Sequence, residues 1–115
     1  MYIINMKLII AGGRDYVFNS EDIKRLDSIT GITEVVSGCA SGADHHGEKW
    51  AESKDIPIKK FPAEWGKFGN SAGPIRNKQM AEYADAVALF PGGRGTQNMF
   101  MNAIRYKLRI FDFRS

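Results

Sequence analysis

The chain has 115 residues, 43% of them hydrophobic and 25% charged, which is ordinary globular usage and argues against long disordered stretches. Its length suits a single domain, 1–115, with enough apolar residues to form a core. The formal charge of +3 comes from 16 basic and 13 acidic residues, and Lys59-Lys60 is the longest basic cluster; that scatter argues against nucleic acid as a partner while leaving an anionic ligand open.

The single cysteine, Cys39, excludes an internal disulfide and fits a reducing compartment. The apolar run over residues 1–11 is interrupted by Asn5 and Lys7. It is shorter than the ~20 residues that cross a bilayer, and no signal-cleavage pattern follows it. A cytoplasmic protein with no membrane partner is expected.

Apolar runs alternate with helical patterns, the signature of βαβ units around a parallel sheet. The first strand is expected over residues 7–11, ending in Gly12-Gly13. Its continuous apolar character predicts burial on both faces. Ser20 is expected to cap a helix with Glu21 and Asp22 in its first turn. Ile23, Leu26 and Ile29 form its apolar stripe and Gly31 stops it.

A second strand over residues 34–37 runs into Gly38-Cys39-Ala40-Ser41-Gly42, and a helix from near Asp44 carries Trp50 and Ala51 inward. Residues 57–61, with an initial proline and paired lysines, suit an edge strand. Residues 62–73 are turn-rich and aromatic and predict a long loop, after which Pro74 fits the first turn of a helix.

Residues 86–90 form the clearest buried strand. Pro91-Gly92-Gly93-Arg94-Gly95 follows, and a helix is expected to be capped by Thr96, with Met99, Phe100, Ala103 and Ile104 at helical spacing. Residues 109–113 close the sheet. The expected architecture is an α/β Rossmann-like open sheet of about five parallel strands in the order 3-2-1-4-5, with helices on both faces.

In such sheets ligands gather beyond the carboxyl ends of the strands, where strand order reverses. Three glycine-rich segments fall there: Gly12-Gly13-Arg14-Asp15, the stretch from Gly38 through Ser41 and Gly42 to Asp44, and the stretch from Gly92 through Gly93, Arg94 and Gly95 to Thr96. Glycine lets backbone amides approach a ligand, and a helix N-terminus beyond the turn offers unpaired N–H groups. Tight turning alone explains any one loop; three on one edge point to a phosphate-bearing guest. The chain has neither a Gly-x-x-x-x-Gly-Lys-Ser/Thr nor a Gly-x-Gly-x-x-Gly segment, which argues against a P-loop enzyme and an ordinary dinucleotide fold.

Arg14, Arg76 and Arg94 supply planar guanidinium groups suited to phosphate or carboxylate oxygens. Asp15 and Asp44 could accept ribose hydroxyls, and Asp44 could equally cap its helix. Trp65 and Phe68 could stack on a base or simply fill the space beneath their loop. His45 and His46 are adjacent and cannot chelate one metal at helical spacing, so neither a metal nor another cofactor is expected. Cys39 lies where a thiol can be acidified, but no base stands beside it, and a small packed residue is the simpler reading.

The segments Ala11-Gly-Gly-Arg-Asp15, Ser37-Gly-Cys-Ala-Ser-Gly-Ala-Asp44, Ala72-Gly-Pro-Ile-Arg-Asn77 and Phe90-Pro-Gly-Gly-Arg-Gly-Thr96 together resemble the SLOG superfamily, in its small YspA / cpYpsA-related branch. The resemblance runs from about Leu8 to Phe111. It implies a Rossmann-like sheet with a pocket for nucleotide-derived ligands, to which Arg76 and Asn77 contribute. The superfamily also holds LOG-type phosphoribohydrolases, which cleave nucleotide N-glycosidic bonds with an Arg and a Glu. Arg76-Asn-Lys-Gln-Met80 is similar to their arginine segment, but Met99 stands where their Glu would be. A thioether can neither stabilise oxocarbenium charge nor activate water.

The reading is therefore a binding or sensing module for a nucleotide-derived, phosphate-containing small molecule, with no catalytic residue assigned. The alternatives are a LOG-like N-glycosidic hydrolase and, as in DprA relatives, a single-stranded nucleic-acid binder. Met99, Phe100 and Met101 are three consecutive large apolar residues at the start of the last helix, which predicts a homo-oligomer through that helix.

Overall fold

A computed structural model of the chain describes residues 5–115; the part of the N-terminal apolar run before Asn5 lies outside them. The elements run β1 (Met6–Ala11), α1 (Ser20–Asp27), β2 (Ile32–Ser37), α2 (Ala43–Ser53), β3 (Ile58–Lys60), α3 (Trp65–Phe68), a 3-10 turn (Gly69–Ser71), α4 (Ala72–Tyr83), β4 (Ala86–Leu89), α5 (Arg94–Arg105) and β5 (Arg109–Asp112). The strands form one open parallel sheet in the order β3-β2-β1-β4-β5. This is the expected Rossmann-like α/β architecture. Strand order reverses between β2-β1 and β4-β5, so β1 and β4 flank the switch point.

Residue alternation along β1 builds two cores. Leu8 and Ile10 pack with Val35, Ala86, Ala88, Phe90, the Leu26 of α1 and the Trp50 and Ala51 of α2. Ile9 and Ala11 pack with Val36, Val87, Leu89, the Met80 of α4 and the Met99 and Ala103 of α5. Helices α1 and α2 thus cover one face and α4 and α5 the other, which is why β4 and the Leu8–Ala11 part of β1 are apolar at consecutive positions. The two lysines of β3 are exposed at one edge of the sheet.

Several local expectations need correction. Helix α1 is capped by Asn19, not Ser20: the Asn19 side chain accepts the Asp22 N–H at 2.9 Å, and the Asp22 carboxylate accepts the Asn19 N–H at 3.0 Å. This is a complete capping box. Helix α5 starts at Arg94 with Gly93 as its N-cap, so Thr96 sits inside the first turn instead of capping it. Arg94 and Gly95 occupy first-turn positions, which need no intrahelical N–H bond.

The stretch over residues 62–73 is not a plain loop: it holds α3, the 3-10 turn and the first residues of α4. Pro74 lies in the first turn of α4, as expected. Of the apolar triplet on α5, Met99 is buried within the protein and Phe100 is half-buried, so the exposed apolar surface reduces to Met101 and Ile104, 55% and 52% exposed.

Candidate functional site

The β1–α1 turn is held between the other two glycine segments. The Gly13 N–H donates to the Pro91 carbonyl at 2.8 Å, and the Gly13 carbonyl accepts the Ala43 N–H at 3.1 Å. Side chains would not fit this contact. A Cβ on Gly42, whose φ is +71°, would lie 2.2 Å from the Gly13 oxygen, and one on Gly92 would lie 2.7 Å from the Gly13 nitrogen. Glycine is required at both positions by close approach, and at Gly42 by its backbone conformation as well.

Beyond this junction lies a cavity of 410 Å³ whose walls include Gly12, Gly13, Arg14, Asp44, Arg76, Asn77, Gly93, Arg94, Gly95 and Thr96. An adjoining cavity of 280 Å³ is lined by Gly38, Cys39 and Ser41, by Pro62 and Ala63, and by Arg14, Ala40, Trp65 and Arg76, which it shares with the first. Gly42 and Gly92 line neither cavity; each packs its backbone closely against the Gly12–Arg14 turn. Asp15 is exposed and lines neither cavity. Of the expected residues, twelve line the two cavities, Gly42 and Gly92 sit at the junction beside them, and Asp15 stands apart.

Arg76 is fixed by its own neighbours. Its guanidinium donates from Nε to the Asn77 Oδ1 at 2.9 Å and from Nη1 to the Gly38 carbonyl. Asn77, buried in α4, donates to the Gly95 carbonyl at 3.3 Å and to the Asn98 Oδ1 at 2.9 Å. These bonds tie the β2–α2 turn, α4 and the start of α5 into one polar frame. Asn98 lines the larger cavity but was missed in the sequence reading. Its signal there is faint: a polar residue beside Met99, with Asn102 one turn on.

Asp44 does not cap its helix. Gly42 is the N-cap of α2, and the Asp44 Oδ2 instead accepts the Ala40 N–H at 3.2 Å. Burial pushes its carboxyl above the usual carboxylate value; the Ala40 bond and the Arg76 charge pull the other way. Arg76 is drawn below its usual value by burial, with Asp44 opposing that shift. Three arginines against one carboxylate leave the larger cavity positive.

Cys39 is neither packed nor acidified. It is exposed with φ at +64°, and partial burial of the thiol, then the Glu48 charge, push its pKa up. Trp65 is 48% exposed and edges both cavities, with the Arg14 guanidinium 5.7 Å from its ring. It therefore faces the site and does not fill the space under a loop. Among the described residues no group of His, Cys, Asp and Glu side chains could hold a metal ion, and no helix is long and apolar enough to cross a membrane.

The first two glycine segments and the Phe61 to Trp65 stretch fall within residues 6–68, which match the model of the YspA, cpYpsA-related SLOG family. The chain belongs to that family. The α4 arginine segment and the Pro91 to Thr96 turn of this SLOG protein lie outside the matched residues, and the fold places both on the same cavity. Comparison with curated proteins and with solved structures gave no match.

Proposed function

We propose that this SLOG protein binds, and through binding senses, a nucleotide-derived small molecule whose phosphate sits against the first turn of α5. The observation that carries the reading is the uncapped start of α5 opening into a positive cavity. Gly93 makes no side-chain cap, the first intrahelical bond is donated by Gln97 to Gly93, and the N–H groups of Arg94, Gly95 and Thr96 belong to residues that line the cavity. Such N–H groups, with the positive end of a helix dipole and a nearby guanidinium, favour an anion.

The Arg94 side chain is exposed and, among the described residues, makes no side-chain hydrogen bond or ion pair, which suits it to a ligand phosphate. Apolar walls from Met80, Met99 and Trp65 suit a base or a ribose face.

Turnover is not part of the proposal. Met99, in the place of the hydrolases' glutamate, is 1% exposed and packed among Met80, Leu89 and Ala103. Glu64, the glutamate beside Trp65 that could stand in for the missing carboxylate, lies outside both cavities.

Isothermal titration against the nucleoside monophosphates, followed by chromatography of each mixture, tests both halves. Binding without released base is expected, and Arg94→Ala should weaken it. No binding by any mononucleotide would refute the binding reading. Released base that vanishes in Arg94→Ala would replace it with an N-glycosidic hydrolase, for which Asp44 is the carboxylate in the cavity wall.

A further inference from the structure

The two cavities differ in chemistry and share a ridge. The larger one has the apolar walls of Met80, Met99 and Pro74, and the smaller is framed by the backbone of Gly38 to Ser41 with Ala63 opposite. Arg14, Arg76 and Trp65 border both. The Arg14 guanidinium has no carboxylate partner within ion-pair distance among the described residues and lies over the Trp65 ring. Arg76 uses Nε and Nη1 on Asn77 and Gly38, which leaves Nη2 without a protein acceptor among the described residues. Two guanidinium groups thus have donors to offer at the boundary between an apolar and a polar chamber.

Resting on the reading above, we infer that the ligand is a nucleoside diphosphate joined to a second polar group, such as a sugar. Its base and ribose occupy the larger chamber, its first phosphate stays at the first turn of α5, its second reaches the Arg14–Arg76 ridge, and its polar group enters the smaller chamber beside Cys39 and Ser41. Paired guanidinium groups match the charge and planarity of adjoining phosphates. Ser41 offers a hydroxyl, and its Oγ already donates to the Arg14 carbonyl at 3.0 Å, linking the chamber wall to the ridge.

The test compares, on the full chain, the tightest-binding mononucleotide with its diphosphate and its sugar-diphosphate conjugate: ADP-ribose for adenine, GDP-mannose for guanine, UDP-glucose for uracil. Affinity should rise with each addition, by roughly tenfold or more for the sugar conjugate over the mononucleotide. Ala63→Phe, which crowds only the smaller chamber, should abolish the gain from the sugar and leave mononucleotide affinity unchanged; that retained binding also shows that the variant folds.

Cys39 is the chain's single thiol and lines the smaller chamber, so its alkylation rate at mildly alkaline pH gives a second readout. The sugar conjugate should slow labelling and the mononucleotide should not. Tight mononucleotide binding with no gain from the sugar, or with Cys39 equally open in both complexes, overturns this inference alone. Failure of every mononucleotide to bind overturns the underlying reading and this inference with it.

Discussion

The N-termini of α1 and α5 both follow strands at the same end of the sheet, yet they are finished in opposite ways. At α1, Asn19 and Asp22 satisfy each other's backbone N–H groups, and the buried Asp22 carboxylate also accepts the Tyr16 hydroxyl at 2.7 Å. At α5, glycine replaces the capping side chain, and the first-turn residues line a cavity containing three arginines. A helix end closed by its own side chains contributes to stability, whereas one left open costs local stability and keeps its donors available. Stability and binding should therefore respond to different residues.

The largest effect should come from the junction that joins the turns. Gly42→Ala places a methyl group 2.2 Å from the Gly13 oxygen at a positive φ, and the expected loss is about 3 kcal/mol in denaturant unfolding, together with loss of ligand binding. Gly93→Ala has open space around its Cβ at negative φ. It should leave unfolding unchanged, and its methyl group tests whether the ligand approaches that backbone.

Asp22→Ala removes one half of the α1 capping box and the Tyr16 bond. We expect about 2 kcal/mol of destabilisation with nucleotide affinity unaltered once the protein is folded. Arg94→Ala should do the reverse, weakening mononucleotide binding roughly tenfold while the unfolding midpoint holds. A shared loss of affinity in both variants would break the distinction between the two helix ends.

This division was only partly legible in the sequence. The glycine segments and the buried strands were readable because apolar continuity and turn chemistry are local properties. The caps were not: Asn19 and Ser20 are adjacent and both suit the role, while Thr96 looked like a cap because a glycine N-cap has no side chain to announce it. Short α3 escaped because Trp-Gly-Lys-Phe carries no periodic signal over four residues. The hold of Arg76 on the Gly38 carbonyl spans 38 residues, and the chain of Asn77, Asn98 and Asn102 depends on how α4 packs against α5. Such contacts are set by the tertiary structure and leave no spacing to read. Asp44 looked like a cap or a ligand contact, and its bond to the Ala40 N–H was visible only once the turn had a shape.

The smallest expected effect concerns that carboxylate. Its folded pKa is raised above the usual 3.8, so between those values the folded protein holds a proton that the unfolded chain has released. Asp44 then favours the fold on acidification, and this contribution is lost as pH rises through the folded value. Asp27 and Asp112 have lowered values and act in the opposite sense. The midpoint of thermal unfolding across weakly acidic pH, compared between the native protein and Asp44→Asn, isolates the Asp44 increment. The native protein should gain on acidification relative to the variant.

The most direct test is an amide-resolved NMR titration with the tightest-binding mononucleotide. The N–H signals of Gly13 and of Arg94, Gly95 and Thr96 should move together along one saturating curve, while those of Asn19 and Asp22 stay in place. Movement at the capped end of α1 with silence at α5, or no saturable movement at any of these amides, would contradict the account.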